Sequence, residues 1–83
     1  MPTPPPDEQL RELGRTIRRM RRERDLSQEA LADAAGVHIN QVGRLERGTS
    51  DVYTSTMLRV VAGLGVPLSE VVHAYEERLA ERA

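Results

Sequence analysis

Ser27-Gln28-Glu29-Ala30-Leu31-Ala32-Asp33-Ala34-Ala35-Gly36-Val37-His38-Ile39-Asn40-Gln41-Val42-Gly43-Arg44-Leu45-Glu46-Arg47-Gly48 is the stretch whose reading decides the fold. It holds two helix-length segments. The first opens on Ser27, whose short oxygen can accept from the free N–H groups of a helix start, and carries Ala30, Leu31, Ala34 and Ala35 at helical spacing. Gly36 stops it, as glycine does where the backbone turns left-handed after a helix. Only residues 36–38 remain before the next helix, and so short a connection forces two helices to cross steeply, as a helix-turn-helix.

The flanks extend this pattern. Ile17-Arg18 and Met20-Arg21 precede Leu26-Ser27-Gln28-Glu29; then come Leu31-Ala32, Ala35-Gly36-Val37, Val42, Arg44-Leu45-Glu46-Arg47-Gly48, and finally Leu58 to Val66. In these pieces, from about Leu13 to Leu68 and without a gap, the chain resembles the helix-turn-helix regulators of the lambda-repressor and Xre type. The resemblance rests on a Ser-Gln helix start, a glycine turn and a Glu-x-Gly helix end at family spacing. It departs at Asp25, where a glycine is usual, and at Val52-Tyr53, which replaces a common Pro-Ser.

Eighty-three residues allow one domain and one core. With two tyrosines, no phenylalanine and no tryptophan, that core must come from Leu, Val, Ile, Met and Ala, which suits closely packed short helices. The lack of cysteine excludes disulfides and thiolate metal sites and fits a reducing, cytoplasmic setting. No apolar run approaches the roughly 18 residues that span a membrane, and the Pro-rich start is no signal peptide. No cofactor, metal or small-molecule site is evident.

A net charge of −1 argues at first against a nucleic-acid partner, but its distribution does not. Leu10 to Arg24 holds seven arginines against two glutamates, a local charge of +5, whereas Val66 to Ala83 holds two arginines against four glutamates, or −2. A basic end can meet a polyanion while the acidic end stays away. All twelve cations are arginine, which suits forked phosphate recognition and also follows from codon bias.

Residues 1–6 hold four prolines and read as a disordered arm without the Arg or Lys of a groove-binding arm. The domain then runs from 7 to 83. Asp7 is the expected cap of helix 1, which carries Leu10, Leu13, Ile17 and Met20 as its apolar stripe to about Arg24. Arg11, Arg15, Arg18 and Arg22 form a second stripe, either a solvated face or a phosphate contact; of these, Arg18 and Arg22 are the expected phosphate contacts. Arg21, on the edge of the buried face, needs an internal partner. Helix 2 runs to Ala35, with Gln28 at its exposed start and suited to phosphate. Helix 3 spans about 38–47, with Val42 and Leu45 inward and Glu46 at the edge of the same face.

The outward set of helix 3 has base-reading chemistry. Asn40 and Gln41 can bond adenine in two places, Arg44 can do so to guanine, and Ile39 can touch a thymine methyl. His38 and Arg47 are expected at phosphates. Helix 4 begins between Val52 and Ser55, with Asp51 and Thr54 both suitable caps, and its apolar residues leave almost no polar face. Gly63, Gly65 and Pro67 close it, and Ser69 is the expected cap of helix 5, which runs to about 81. Leu68, Val71 and Val72 are expected to cover helix 4, while Tyr75 and Leu79 project, so that Val72, Tyr75 and Leu79 form a dimer strip; the alternative is that helix 5 bends back over helix 1 within the monomer.

The resemblance implies an all-α, five-helix lambda-repressor-like domain that is no enzyme but a sequence-specific regulator of transcription, with helix 3 in the major groove and helix 2 across the phosphates. It also sets Arg21 opposite Glu46 as a partly buried ion pair. Double-stranded DNA with a near-palindromic operator, bound by a homodimer, is the expected partner. A protein-binding adaptor on the same fold is the alternative; it accounts for the acidic C-terminus but not for the base-reading set.

Overall fold

Each of five helices contributes one wholly buried aliphatic side chain: Ile17, Leu31, Val42, Val60 and Val71 meet in a single core, joined by Met20, Ala32, Leu45, Val61 and Leu64. The computed structural model describes residues 4–49 and 51–82. Among these the order is α1 (Pro6–Glu23), α2 (Gln28–Ala35), α3 (Ile39–Arg47), α4 (Thr54–Leu64) and α5 (Leu68–Glu81), with no strand. The apolar spacings of α1 to α3 thus point inward as their periodicity requires.

Three helix ends follow the same backbone logic. Gly36 and Gly48 sit left-handed at φ +69° and +75°, and the N–H groups of Val37 and Thr49 reach back to the carbonyls of Ala32 and Arg44. These bonds satisfy carbonyls that a helix end leaves unpaired. Asp25 does the same after α1 at φ +55°, with Leu26 N–H on Arg21 O at 3.2 Å. A short polar side chain tolerates this region better than most, which is how an aspartate stands at a glycine's position.

The helix starts differ from expectation. Asp7 does not cap α1: Pro5 holds that position, Pro6 is the first helical residue, and the N–H groups of Glu8 and Gln9 bond Pro5 O at 3.0 Å. Proline suits the first helical position because the N–H it lacks would be unpaired there. Residues 1–3 of the expected arm lie outside the described residues. Neither Asp51 nor Thr54 caps α4; Tyr53 does, without a side-chain bond. Ser69 lies inside α5, whose cap is Pro67. Ser27 does cap α2, accepting from Ala30 N–H at 3.0 Å.

α4 packs most densely on α2, with Gly63 seated against Ala35. It keeps an exposed face, on which Leu58 and Arg59 lie, rather than being apolar all round. α5 turns by 100° from α4 and lies back over α1. The expected projection of Tyr75 and Leu79 therefore does not occur. Tyr75 donates its hydroxyl to Gln9 Oε1 at 3.1 Å, and both residues are half-buried. The residues left open are Leu68 and Val72, at the start of the same stripe.

A buried carboxylate fastens α5 in this position. Glu12 Oε1 accepts from Arg15 Nη1 at 2.7 Å and from Arg78 Nε at 3.2 Å, and Arg82 adds an ion pair to Glu8 at 3.0 Å. Burial pushes the Glu12 carboxyl up, but the bonds and charges of Arg15 and Arg78 outweigh it and hold it below its ordinary value.

Candidate nucleic-acid interface

Besides its packing in the core, α3 is tied to the rest of the fold by one carboxylate. Glu46 projects from its inner edge, 7% exposed, and receives both arms of Arg21: Nε to Oε2 at 2.6 Å and Nη2 to Oε1 at 3.0 Å. The third nitrogen, Nη1, donates to Leu26 O at 2.7 Å, so the guanidinium ties α1, the α1–α2 loop and α3 together. The bond to Glu46 raises the Arg21 pKa against the opposing effect of burial. The pair that the resemblance implies is thus brought together.

Gln28 joins it. Its Nε2 donates to Glu46 Oε1 at 3.1 Å, so the amide expected at a phosphate is turned toward the ion pair. A side chain at a helix start can turn inward in this way when a charged acceptor lies within reach. Gly14 was missed as well. A Cβ there would lie 2.5 Å from the backbone oxygens of both Leu45 and Glu46, so only glycine allows α1 and α3 to approach this closely.

The opposite face of α3 is open. Asn40 and Arg44 are exposed one turn apart, Gln41 is half-buried at one edge, and the Arg47 guanidinium folds back over Gly43. Ile39, 40% exposed, sits at the other edge, where it lines a groove with Val37, His38, Glu29 and Asp33. It is therefore separated from the Asn40 and Arg44 side. His38 caps α3: its Nδ1 accepts from Asn40 N–H at 3.0 Å. In the neutral ring the proton then resides on Nε2, leaving an exposed donor beside the helix start.

Arg44 is not solitary. Its Nη1 donates to Asp51 Oδ2 at 3.2 Å, and Thr49 Oγ1 donates to Arg44 O at 3.2 Å, so the loop after α3 curls back onto the exposed face. Arg18 and Arg22 lie elsewhere, in a groove lined also by Arg15, Arg19, Glu23 and Arg78, to which α3 contributes no described residue.

Two helices joined by a left-handed glycine, with the second presenting an open polar face and locked to α1 by a buried ion pair, define an all-α helix-turn-helix domain. A family model described as a helix-turn-helix domain matches residues 12–74, and the chain belongs to this family.

Similar proteins agree. The cryptic phage CTXphi transcriptional repressor RstR of Vibrio cholerae is 36% identical over 66 residues, covering 80% of this chain and 60% of the repressor. The HTH-type transcriptional regulator SutR of Escherichia coli (strain K12) is 34% identical over 60 residues, 72% of this chain and 34% of the regulator. The chain thus spans less than two thirds of the length of either curated relative. Among solved structures, the restriction-modification controller protein C.AhdI from Aeromonas hydrophila has a TM-score of 0.69 at 32% identity, covering 75% of this chain and 94% of that one.

Proposed function

We propose that the domain binds double-stranded DNA sequence-specifically, laying α3 in the major groove and the start of α2 across the phosphates, and regulates transcription as a homodimer on a near-palindromic operator. The observation that carries this is the open Asn40 and Arg44 face of α3, one turn apart and backed by the buried Arg21–Glu46 pair. A helix so fixed can hold an amide and a guanidinium against adjacent base edges, where they match adenine and guanine. Asn40 and Arg44, with Gln41 and Ile39 at the flanks, supply discrimination; His38 Nε2, Arg47, Arg18 and Arg22 supply phosphate contacts.

Affinity of one small domain is modest, and two copies of α3 about 34 Å apart would meet successive major grooves. The acting place is the cytoplasm, where such DNA is reached. No single helix among the described residues is long and apolar enough to cross a membrane.

Selection of bound duplexes from a random pool, followed by gel shifts of Arg44→Ala at two salt concentrations, tests the proposal. We expect a steep salt dependence and a symmetric site. Arg44→Ala should cost about 1 to 3 kcal/mol on that site and relax preference at one base pair. Equal weakening on selected and random duplexes would reduce Arg44 to a phosphate contact.

A further inference from the structure

The loop after α3 places a carboxylate on a face proposed to meet a polyanion. Asp51 is exposed, and so is Arg44, to which it bonds. Exposed pairs of this kind contribute little to stability, so its consequence must be sought elsewhere than in the fold. Nor does Asp51 cap α4, whose first turn it precedes without a side-chain bond. Toward phosphates a carboxylate is repulsive, and on a binding face it lowers affinity for every duplex alike.

Its geometry answers the question. Arg44 gives Asp51 only Nη1, at 3.2 Å. The planar guanidinium keeps a second edge, Nε with Nη2, whose two parallel donors match guanine O6 and N7. A guanidinium already held at one corner loses less freedom when that edge docks. The backbone under it is held as well, because Thr49 Oγ1 donates to Arg44 O and Thr49 N–H to the same carbonyl at 3.1 Å.

We propose that Asp51 is a specificity-determining residue, a positioning carboxylate that fixes the Arg44 guanidinium by Nη1 so that its Nε and Nη2 edge reads guanine, while its charge suppresses binding to random sequence. The inference rests on the DNA-binding reading above. Specificity is a ratio, and Asp51 acts on both sides of it: it favours the selected site through Arg44 and disfavours all other duplex.

Three variants test this beside the parent, each measured on the selected duplex, on that duplex changed at the base pair assigned to Arg44, and on random duplex over a salt series. Asp51→Ala should lose about threefold in preference at that base pair. It should bind random duplex more tightly, with a salt slope steeper by about 1 as the freed Arg44 finds a phosphate. Asp51→Asn, which keeps an acceptor but not the charge, should retain more of the preference while gaining random binding. In Arg44→Ala/Asp51→Ala the second change should add nothing to the loss of preference caused by the first.

Thermal melts of all variants should match the parent, because both side chains are exposed. If Asp51→Ala raises binding to every duplex equally and leaves preference intact, Asp51 is only a repelling charge and the inference falls. If its effect on preference persists without Arg44, Asp51 reads a base itself and the inference falls. A parent with no duplex preference would overturn the functional reading and this inference with it, an outcome distinct from either.

Discussion

Gln28 and Glu46, eighteen residues apart, share a hydrogen bond of 3.1 Å that ends on the same carboxylate oxygen as Arg21 Nη2. One side chain of α3 is thereby held from α1 and α2 at once. Three donors on a buried carboxylate also satisfy it, which matters because a buried charge short of partners costs several kcal/mol.

The first prediction concerns this junction. Arg21→Met leaves the carboxylate with Gln28 alone, and Glu46→Leu leaves a nearly buried guanidinium with only the Leu26 carbonyl. Each should cost about 3 to 5 kcal/mol. The double variant, which removes both charges and fills the site with apolar groups, should cost less than the sum of the two. Thermal melts of the four proteins decide it, and strict additivity would refute the coupling.

A second prediction separates two glycines with the same left-handed backbone. At Gly36 an added Cβ meets nothing within 4 Å, so Gly36→Ala should cost only the backbone strain of about 1 kcal/mol. At Gly48 the Cβ would fall 2.5 Å from Arg11 Cα as well, so α3 must lift from α1. Gly48→Ala should cost about 1 to 3 kcal/mol more, and Gly14→Ala a similar amount for the clash with the Leu45 and Glu46 carbonyls, outweighing alanine's better helix propensity. Equal melting temperatures for the Gly36 and Gly48 variants would contradict the close approach.

These sites show what periodicity can and cannot reveal. Gly36 and Gly48 end helices at positions a 3.6-residue pattern defines, so the two turns and the inward Val42 and Leu45 were legible. Arg21 and Glu46 were legible as edge residues, and the family resemblance set them opposite one another. Gly14 was not, because a glycine inside a helix carries no periodic signal for the neighbour it admits. Asp51 was misplaced as a cap, and the bond of Gln28 to Glu46 went unforeseen, for a related reason: a polar residue at a helix start or in a loop reads as a cap or a free contact until the opposing charge is seen. The path of α5 over α1 was legible only as the second of two readings. A stripe of Leu68, Val72, Tyr75 and Leu79 fixes a face but not the 100° turn that decides which half of it is covered.

The third prediction follows the pH. Glu12 lies below its ordinary carboxyl value in the folded protein because the bonds from Arg15 and Arg78 outweigh its burial. A depressed carboxyl stabilises fully above its unfolded value, about 4.3, and loses that contribution as pH falls through the folded value. Melting temperature should therefore decline below about pH 4.3 as α5 loosens from α1. Glu12→Gln should melt lower than the parent at pH 7 and decline less steeply in acid. Parallel curves for the two proteins between pH 7 and pH 3 would show that Glu12 does not drive the change.

The last prediction concerns the proposed dimer. Because the C-terminal half of α5 is spent on α1, Tyr75 and Leu79 belong to the monomer, and charges placed there would unfold it. The open half carries Leu68 and Val72, each 39% exposed and four residues apart on one face. They border a groove of about 410 Å³ that Leu10, Leu13, Met57, Val71 and Tyr75 also line. A groove walled by aliphatic side chains at the meeting of α1, α4 and α5 suits the same stripe of a second copy, since a two-fold axis sets one patch against itself. The parent should sediment as a dimer at tens of micromolar. Leu68→Glu/Val72→Glu should sediment as a monomer with unchanged helical circular dichroism, because both positions are open in the single chain. Its affinity for a two-half-site duplex should fall far more than its affinity for an isolated half-site, as expected when two linked contacts become independent. A parent that stays monomeric at that concentration, or a variant that still dimerises, would remove this face from the interface.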